Sequence, residues 1–419
     1  MKNYLFNLDG KLLKTVREIG RQAAKRKSSA YIVGGIVRDL ILKKKNLDLD
    51  IVVEGDAAGL ARDLAKKWNG KVTVYKKFGT ASLKISGGLC IDLATARRES
   101  YACSGALPVV RPGRLNEDLL RRDFTVNAMA IAIGPGDFGR LVDPFGGLAD
   151  LSKKIIRVLH KQSFIDDPTR ILRAVRFEQR FSFRMEKQTL LLMKAALRKK
   201  IPLNVKPPRY FAGFKKILCE ADPLKCVKRL HQLDGLRFLD LKFKPHVRDL
   251  SLVHQRIQRA RRKSFYAQRD WWLVYFMGLI AKADDRVVQR ILARFPFTKN
   301  ERRGIQQVGE SGDIIKKLSV RNLRSSEVFR ILKPLTTEAI LYLRVATSRP
   351  VISRRIDRFL ARDAQVKLCI NGEDLKKIGV ASGGKMGRIL EDVLYLKIDK
   401  KISTKREELK AASLLLMNS

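Results

Sequence analysis

Residues Tyr31 to Val53 read YIVGGIVRDLILKKKNLDLDIVV. The apolar run Tyr31-Ile32-Val33 ends at Gly34-Gly35, a helical pattern opens with Arg38 and Asp39, and a second apolar run carries Asp48 and Asp50. The order is strand, turn, helix, strand. Two glycines after a strand let the backbone approach a ligand closely, and the N–H groups that open the next helix suit a phosphate. A plain tight turn would use the same residues, so the carboxylates decide. Residues two apart in a strand project from one face, which sets Asp48 beside Asp50 and turns Leu47, Leu49 and Ile51 the other way. Two carboxylates that close repel unless a cation lies between them. Mg2+ takes hard oxygen ligands, usually one or two carboxylates together with substrate phosphates. The expectation is a magnesium site beside a phosphate cradle; the alternative is an exposed edge strand with two solvated aspartates.

A chain of 419 residues should hold about three or four units. Its 87 Lys and Arg against 42 Asp and Glu, a net charge of +45, argue for a polyanionic partner. The charge is spread along the chain and no run of about 18 apolar residues occurs, so nucleic acid fits and a membrane does not. A basic proteome or adaptation to salt would give the same balance. The five cysteines are odd in number and lack CxxC spacing, which speaks against disulfides and zinc. MKNYLFNLDGKLLKTV lacks the long apolar segment and cleavage site of a signal peptide; a cytoplasmic protein is expected.

Leu12, Val16, Ile19 and Ala23 recur at helical spacing before the first strand, and an alanine-rich helix covers Ala57 to Trp68. Lys71 to Tyr75, Thr80 to Ile85 and Leu89 to Leu93 read as strands, the last carrying Asp92. Residues 96 to 114, ARRESYACSGALPVVRPGR, have no clear period and read as a mobile loop. In LLRRDFTVNAMAI (119–131), Arg121, Arg122 and Asp123 enter an apolar segment, where charges are rarely buried unless paired. An arginine there can hold a triphosphate or sugar, and an aspartate can accept from a 2′-OH.

In FIDDPTRILRAVRF (164–177), Asp167 can cap a helix with Pro168 at its first position, and Arg170, Arg173 and Arg176 then form a basic stripe. A capped helix with a solvated face is one reading. The other is base recognition. Cytosine and adenine place an amino donor beside a ring-nitrogen acceptor, whereas uracil and guanine place a carbonyl beside an N–H. An Asp accepting from the amino group and an Arg donating to the ring nitrogen would take C or A and refuse U or G.

GGIVRD followed by LDLD resembles the signature of the nucleotidyltransferase superfamily that includes DNA polymerase beta. With RRDFTVNAMA and DDPTR it resembles specifically the class II tRNA nucleotidyltransferases and bacterial poly(A) polymerases. The resemblance implies that Gly35 and Arg38 hold the incoming triphosphate, Asp48 and Asp50 hold Mg2+, and Arg122 and Asp123 hold the nucleotide. It further implies that Asp167 and Arg170 read the base, with Arg173 and Arg176 as further nucleotide contacts. Asp166 stands where the family's motif has Glu. The loop at 96–114 would act as a lever between C and A addition.

The expected fold is α+β: a polymerase beta-like catalytic head with a mixed sheet and helices over residues 1–150, then helical neck (151–215), body (216–330) and tail (331–419). In the body, RIQRARRKSFYAQR (256–269) sets five basic residues before Phe265 and Tyr266, as an RNA contact or a solvated helix face would. INGEDLKKIGVASGGKMGRILEDVL resembles a tail segment of these enzymes. The function implied is template-independent, Mg2+-dependent addition of C and A from CTP and ATP to the 3′ end of tRNA, with the helical parts holding the acceptor arm. An A-adding or CC-adding enzyme, a poly(A) polymerase, and a non-catalytic RNA-binding protein on the same fold are the alternatives.

Overall fold

The computed structural model describes residues 3–44, 48–75, 79–85, 87–267 and 269–417. The chain divides into two compact units, Met1–Ile217 with Gln232–Phe238, and Leu218–His231 with Leu239–Ser419.

The first unit opens with helix α1 (Gly10–Lys25), capped by Asp9, which accepts from the Leu12 N–H at 2.8 Å. Leu12, Val16, Ile19 and Ala23 form its buried stripe. Strand β1 (Ser29–Val33), helix α2 (Gly35–Ile41) and strand β2 (Leu49–Glu54) follow in the expected order. Leu49 and Ile51 are each 1% exposed, facing away from Asp50 as the alternation requires; Leu47 lies outside the described residues. Helix α3 (Ala57–Trp68) and strands β3 (Lys71–Tyr75), β4 (Thr80–Lys84) and β5 (Cys90–Thr95) come next.

With β8 (Ala130–Ala132) and β9 (Leu141–Val142) these strands make one seven-stranded mixed sheet in the order β3-β4-β5-β2-β1-β8-β9. β2 and β5 run parallel and the other neighbours antiparallel. α3 packs on β3, β4 and β5, burying Ala81, Leu83, Ile91 and Leu93. Over β1, β2 and β8 the opposite face is closed by Leu115 and Leu119 of helix α4 (Leu115–Leu120), which meet Tyr31, Val33, Val52 and Ala130. Glu54 fixes that helix, accepting from the Leu115 N–H at 2.7 Å. Beyond it, Thr73, Tyr75 and Asp92 stay exposed on the same face.

The segment read as a mobile loop is instead a hairpin. β6 (Arg97–Ser100) pairs antiparallel with β7 (Val109–Pro112), from Arg97↔Pro112 to Ser100↔Val109. Strands this short, with Arg, Glu and Ser among their residues, carry no apolar alternation to announce them.

Asp143 accepts from the N–H groups of Gly147 (2.7 Å) and Leu148 (2.9 Å) and so caps α5 (Gly147–Ser152). Helices α6 (Ser163–Asp166), α7 (Thr169–Phe181), α8 (Lys187–Arg198) and α9 (Pro207–Leu218) follow. Two short strands interrupt the helices, Ile155–Ile156 before α6 and Arg184–Met185 before α8, and they pair in parallel.

The second unit is helical. Trp272–Ile280 is buried at every residue, as its apolar composition predicts. The basic and aromatic stretch before it turns partly inward. Tyr266 is 1% exposed and donates to Asp357 at 2.6 Å; Asp357 also takes Lys263 (2.7 Å) and Arg344 (2.6 Å). Arg256 donates to the carbonyls of Val345 and Ala346. Tyr266 is therefore core and not an RNA-facing ring, and Arg256 and Lys263 tie helices together. Toward the end of the chain, Ile370, Leu375, Val380, Ile389 and Val393 form a separate small core. Buried Glu408 closes it, accepting from the Cys369 and Ile370 N–H groups and from Lys397. No helix among the described residues is long and apolar enough to cross a membrane.

Candidate active site

Where β1 turns into α2, a cleft of about 520 Å3 brings together Gly34, Gly35, Arg38, Asp48, Asp50, Arg122, Asp123 and Arg173. Gly34 has φ 78° and ψ −133°, a conformation open essentially to glycine alone. Gly35 has room beside it: a Cβ there would meet only Arg38 Nη2, at 3.6 Å.

Arg38 is 6% exposed. Its Nη1 donates to Asn127 Oδ1 at 2.6 Å and its Nε to Asp39 Oδ1 at 3.0 Å. The rings of Phe181 and Phe177 lie 4.5 and 5.5 Å from the guanidinium carbon, so the cation is held at the wall before any ligand arrives. Arg121 and Arg122, just after α4, share one wholly buried carboxylate. Asp118 Oδ1 accepts from Arg121 at 2.6 and 2.9 Å, and Oδ2 accepts from Arg122 at 3.0 Å. Arg121 also reaches Glu99 of β6 at 3.1 Å, which joins the hairpin to this wall. Arg122 Nε is buried with no hydrogen-bond partner, so it is the guanidinium's other nitrogens that bind Asp118 and line the cleft.

Asp48 directly precedes β2 and Asp50 lies within it, both on the cleft wall. The register of β2 and β5 sets Asp92 beside Asp50. Water reaches Asp50 from the cleft, yet the protein around it pushes its carboxyl up to about 6. Partial burial is the main cause, Arg122 opposes it, and Asp92 and Asp48 add to it. Two carboxylates facing one cleft, one of them reluctant to ionise alone, fit a hard divalent cation. Among the described residues no group of three or more His, Cys, Asp or Glu could hold a metal. The fit is therefore to an ion that completes its shell with water and substrate oxygens.

Asp123 is 7% exposed and fully engaged. Oδ1 accepts from the Phe124 N–H and from Asn127, each at 2.9 Å, and Oδ2 from Arg173 Nε at 2.7 Å. Burial alone would raise its pKa; Arg173 and the hydrogen bonds outweigh burial and hold it below the ordinary carboxylate value.

Asp167, Arg170 and Arg176 are not among the walls of this cleft. Asp167 accepts from the Thr169 N–H (3.0 Å) and hydroxyl (2.7 Å), tying down the start of α7, and meets Arg209 at 3.0 Å. Arg209 also donates to the carbonyls of Gly105 and Ala106 at the hairpin tip. Arg170 is 4% exposed; it donates to Ser163 Oγ and to the Arg121 carbonyl, each at 2.7 Å. The arginines three apart thus do not form one stripe, because three residues fall short of a full helical turn. The side of α7 that faces the cleft is Arg173, Phe177 and Arg180, spaced i, i+4, i+7. Arg180, Phe177 and Asn127 carry no assignment in the sequence, and Arg121 is read there only as part of Arg121-Arg122-Asp123. The heptad-like spacing could have pointed to the first two, but Asn127 depends on contacts across the fold.

The sequence description of a poly A polymerase head domain matches residues 30–157. The chain is 34% identical over 372 residues to an A-adding tRNA nucleotidyltransferase of Halalkalibacterium halodurans, covering 88% of this chain and 84% of that protein. It is 32% identical over 406 residues to an A-adding tRNA nucleotidyltransferase of Geobacter sulfurreducens, covering 95% of this chain but 46% of that protein, so it spans about half of that relative's length. Among solved structures, a Thermotoga maritima CCA-adding enzyme complexed with tRNA superposes with a TM-score of 0.75 at 34% identity, over 99% of this chain and 98% of that one.

Proposed function

Because the chain belongs to the family of tRNA nucleotidyltransferases with a poly A polymerase head, we propose that it extends the 3′ end of tRNA without a nucleic-acid template, building the CCA terminus from CTP and ATP with release of pyrophosphate. The observation that carries this reading is the cleft that Asp48 and Asp50 line together with Gly34, Gly35, Arg38 and Arg122. One wall suits a cation and the other a polyphosphate.

Mg2+ held by Asp48 and Asp50 would supply charge neutralisation at the reacting phosphate and lower the pKa of the attacking 3′-OH. The rest falls to the chain's own side chains, and no protein nucleophile is required. Gly35 leaves space for phosphate oxygens against the backbone, Gly34 makes the turn with Arg122 packed on it, and Arg38 and Arg122 offset the phosphate charge. Arg38 costs little to order, since Asn127, Asp39 and two phenyl rings already fix it. Arg173, braced by Asp123, and Arg180 extend the cationic wall toward the sugar. Asp167 and Arg170 would read the base edge. Asp167 meets Thr169 and Arg209 through Oδ1, and the role requires Arg170 to leave Ser163 and the Arg121 carbonyl. The helices of residues 216–330 and 331–419 would hold the acceptor arm through phosphate contacts, consistent with the chain's charge of +45.

A second reading, addition of the terminal A alone, is favoured by the two A-adding relatives, which align with most of this chain. Both readings are tested by offering tRNA that ends before CCA, after the first C, or after CC, with each labelled nucleotide. CMP incorporation on the first two ends supports full CCA synthesis; AMP incorporation only on the CC end supports A-addition. UTP used as readily as CTP would overturn base choice by Asp167 and Arg170.

A further inference from the structure

The strand register lines up two transverse rows of residues on the sheet face opposite α3. Thr73, Ser82, Asp92 and Asp50 are neighbours across four strands in one row, and Tyr75, Thr80, Ala94 and Val52 in the next. On this face a second cavity, of about 480 Å3, reaches Asp50, Arg121 and Arg122. It therefore shares a carboxylate and two cations with the first cleft, but it lacks Arg38, Arg173 and Arg180. A polyphosphate belongs with the extra arginines. The second cavity offers hydroxyls, a small apolar floor and the ring of Tyr75, 52% exposed.

Sheets that bind single-stranded RNA present aromatic rings on an open face, where bases stack with little regard to sequence. In nucleotidyl transfer the attacking oxygen and the leaving pyrophosphate lie on opposite sides of the reacting phosphorus. With pyrophosphate among the arginines of the first cleft, the nucleophile must come from the other side of Asp50, which is where this face lies. We infer that it seats the 3′-terminal nucleotide of the acceptor RNA, with the base stacked on Tyr75 and the ribose turned so that its 3′-OH meets Asp50. The assignment rests on the reading of the chain as a tRNA nucleotidyltransferase and adds the place of its second substrate. Tyr75 acts through RNA placement and is not itself a catalytic residue.

The test uses the full chain, ATP and a tRNA lacking its terminal adenosine. Wild-type incorporation establishes the reaction; its absence on every tRNA end would sink the underlying reading itself. Given incorporation, Tyr75→Ala raises the KM for that tRNA about tenfold, the scale of one lost base–aromatic stack, with the KM for ATP little changed. Tyr75→Phe keeps the wild-type KM. A second readout needs no turnover. Cys90 is exposed on the same face, two residues from Asp92, and its alkylation by iodoacetamide, followed by peptide mass spectrometry, slows when the tRNA binds without ATP. The inference is overturned if Tyr75→Ala leaves the RNA KM unchanged, if Tyr75→Phe behaves like the alanine variant, or if bound tRNA leaves the Cys90 rate unaltered.

Discussion

A Cβ on Gly34 would sit 2.6 Å from Nη1 of Arg122. The guanidinium fills the space that any other residue at 34 would claim, so the turn and the arginine are one device. Gly34→Ala should cost about 1–3 kcal/mol of stability from the backbone conformation alone. It should also displace Arg122 and lower kcat/KM about 100-fold, as a misplacement of about 1 Å can. Thermal melts and steady-state kinetics read the two effects separately, and an alanine variant with wild-type kinetics would refute the pairing.

Asp48→Ala and Asp50→Asn should each abolish nucleotide incorporation while leaving tRNA affinity close to wild type, because the RNA-holding charge lies elsewhere on the chain. Filter binding beside a pyrophosphate-release assay distinguishes the cases. Retained incorporation by either variant would refute the metal assignment.

In metal-free protein the Asp50 carboxyl is held at about 6, against about 4 in an unfolded chain. The folded state therefore binds this proton more tightly, and the resulting stabilisation is full below about pH 4 and lost as pH rises through 6. Melting temperature should fall more steeply across that window in the wild type than in Asp50→Asn. At pH 7, Mg2+ should restore stability to the wild type and much less to the variant. Parallel curves for the two proteins would contradict the assignment.

Arg173→Ala removes a donor from a buried carboxylate and should cost about 1–3 kcal/mol. Asp123 is held below its ordinary pKa, so in the wild type this pair stabilises above about pH 4 and the contribution fades as pH falls through the lowered folded value. Denaturant melts at several pH values should show the variant's deficit shrinking in acid. A deficit that does not vary with pH would mean the pair is not the cause.

The head of the molecule was legible because its signals are local. Ala57 to Trp68 alternates apolar and polar residues at helical spacing, and Asp48 and Asp50 straddle a leucine in a strand pattern; neither needs the rest of the chain to be read. The hairpin at 97–112 was not legible, since its strands are four residues long and its pairing depends on contacts between them. Burial of Arg170 and Tyr266 was equally hidden. A basic or phenolic side chain goes inside only when partners on other elements accept its hydrogens, here Ser163 and the Arg121 carbonyl for one and Asp357 for the other.

Asp118 splits its two oxygens between neighbouring guanidiniums. Neither arginine can then be retuned by itself: a substitution, a bound anion or a tug from Glu99 on one alters the anchorage of its twin. Both cavities beside Asp50 inherit that linkage, so whatever enters one is felt in the other through a single buried carboxylate.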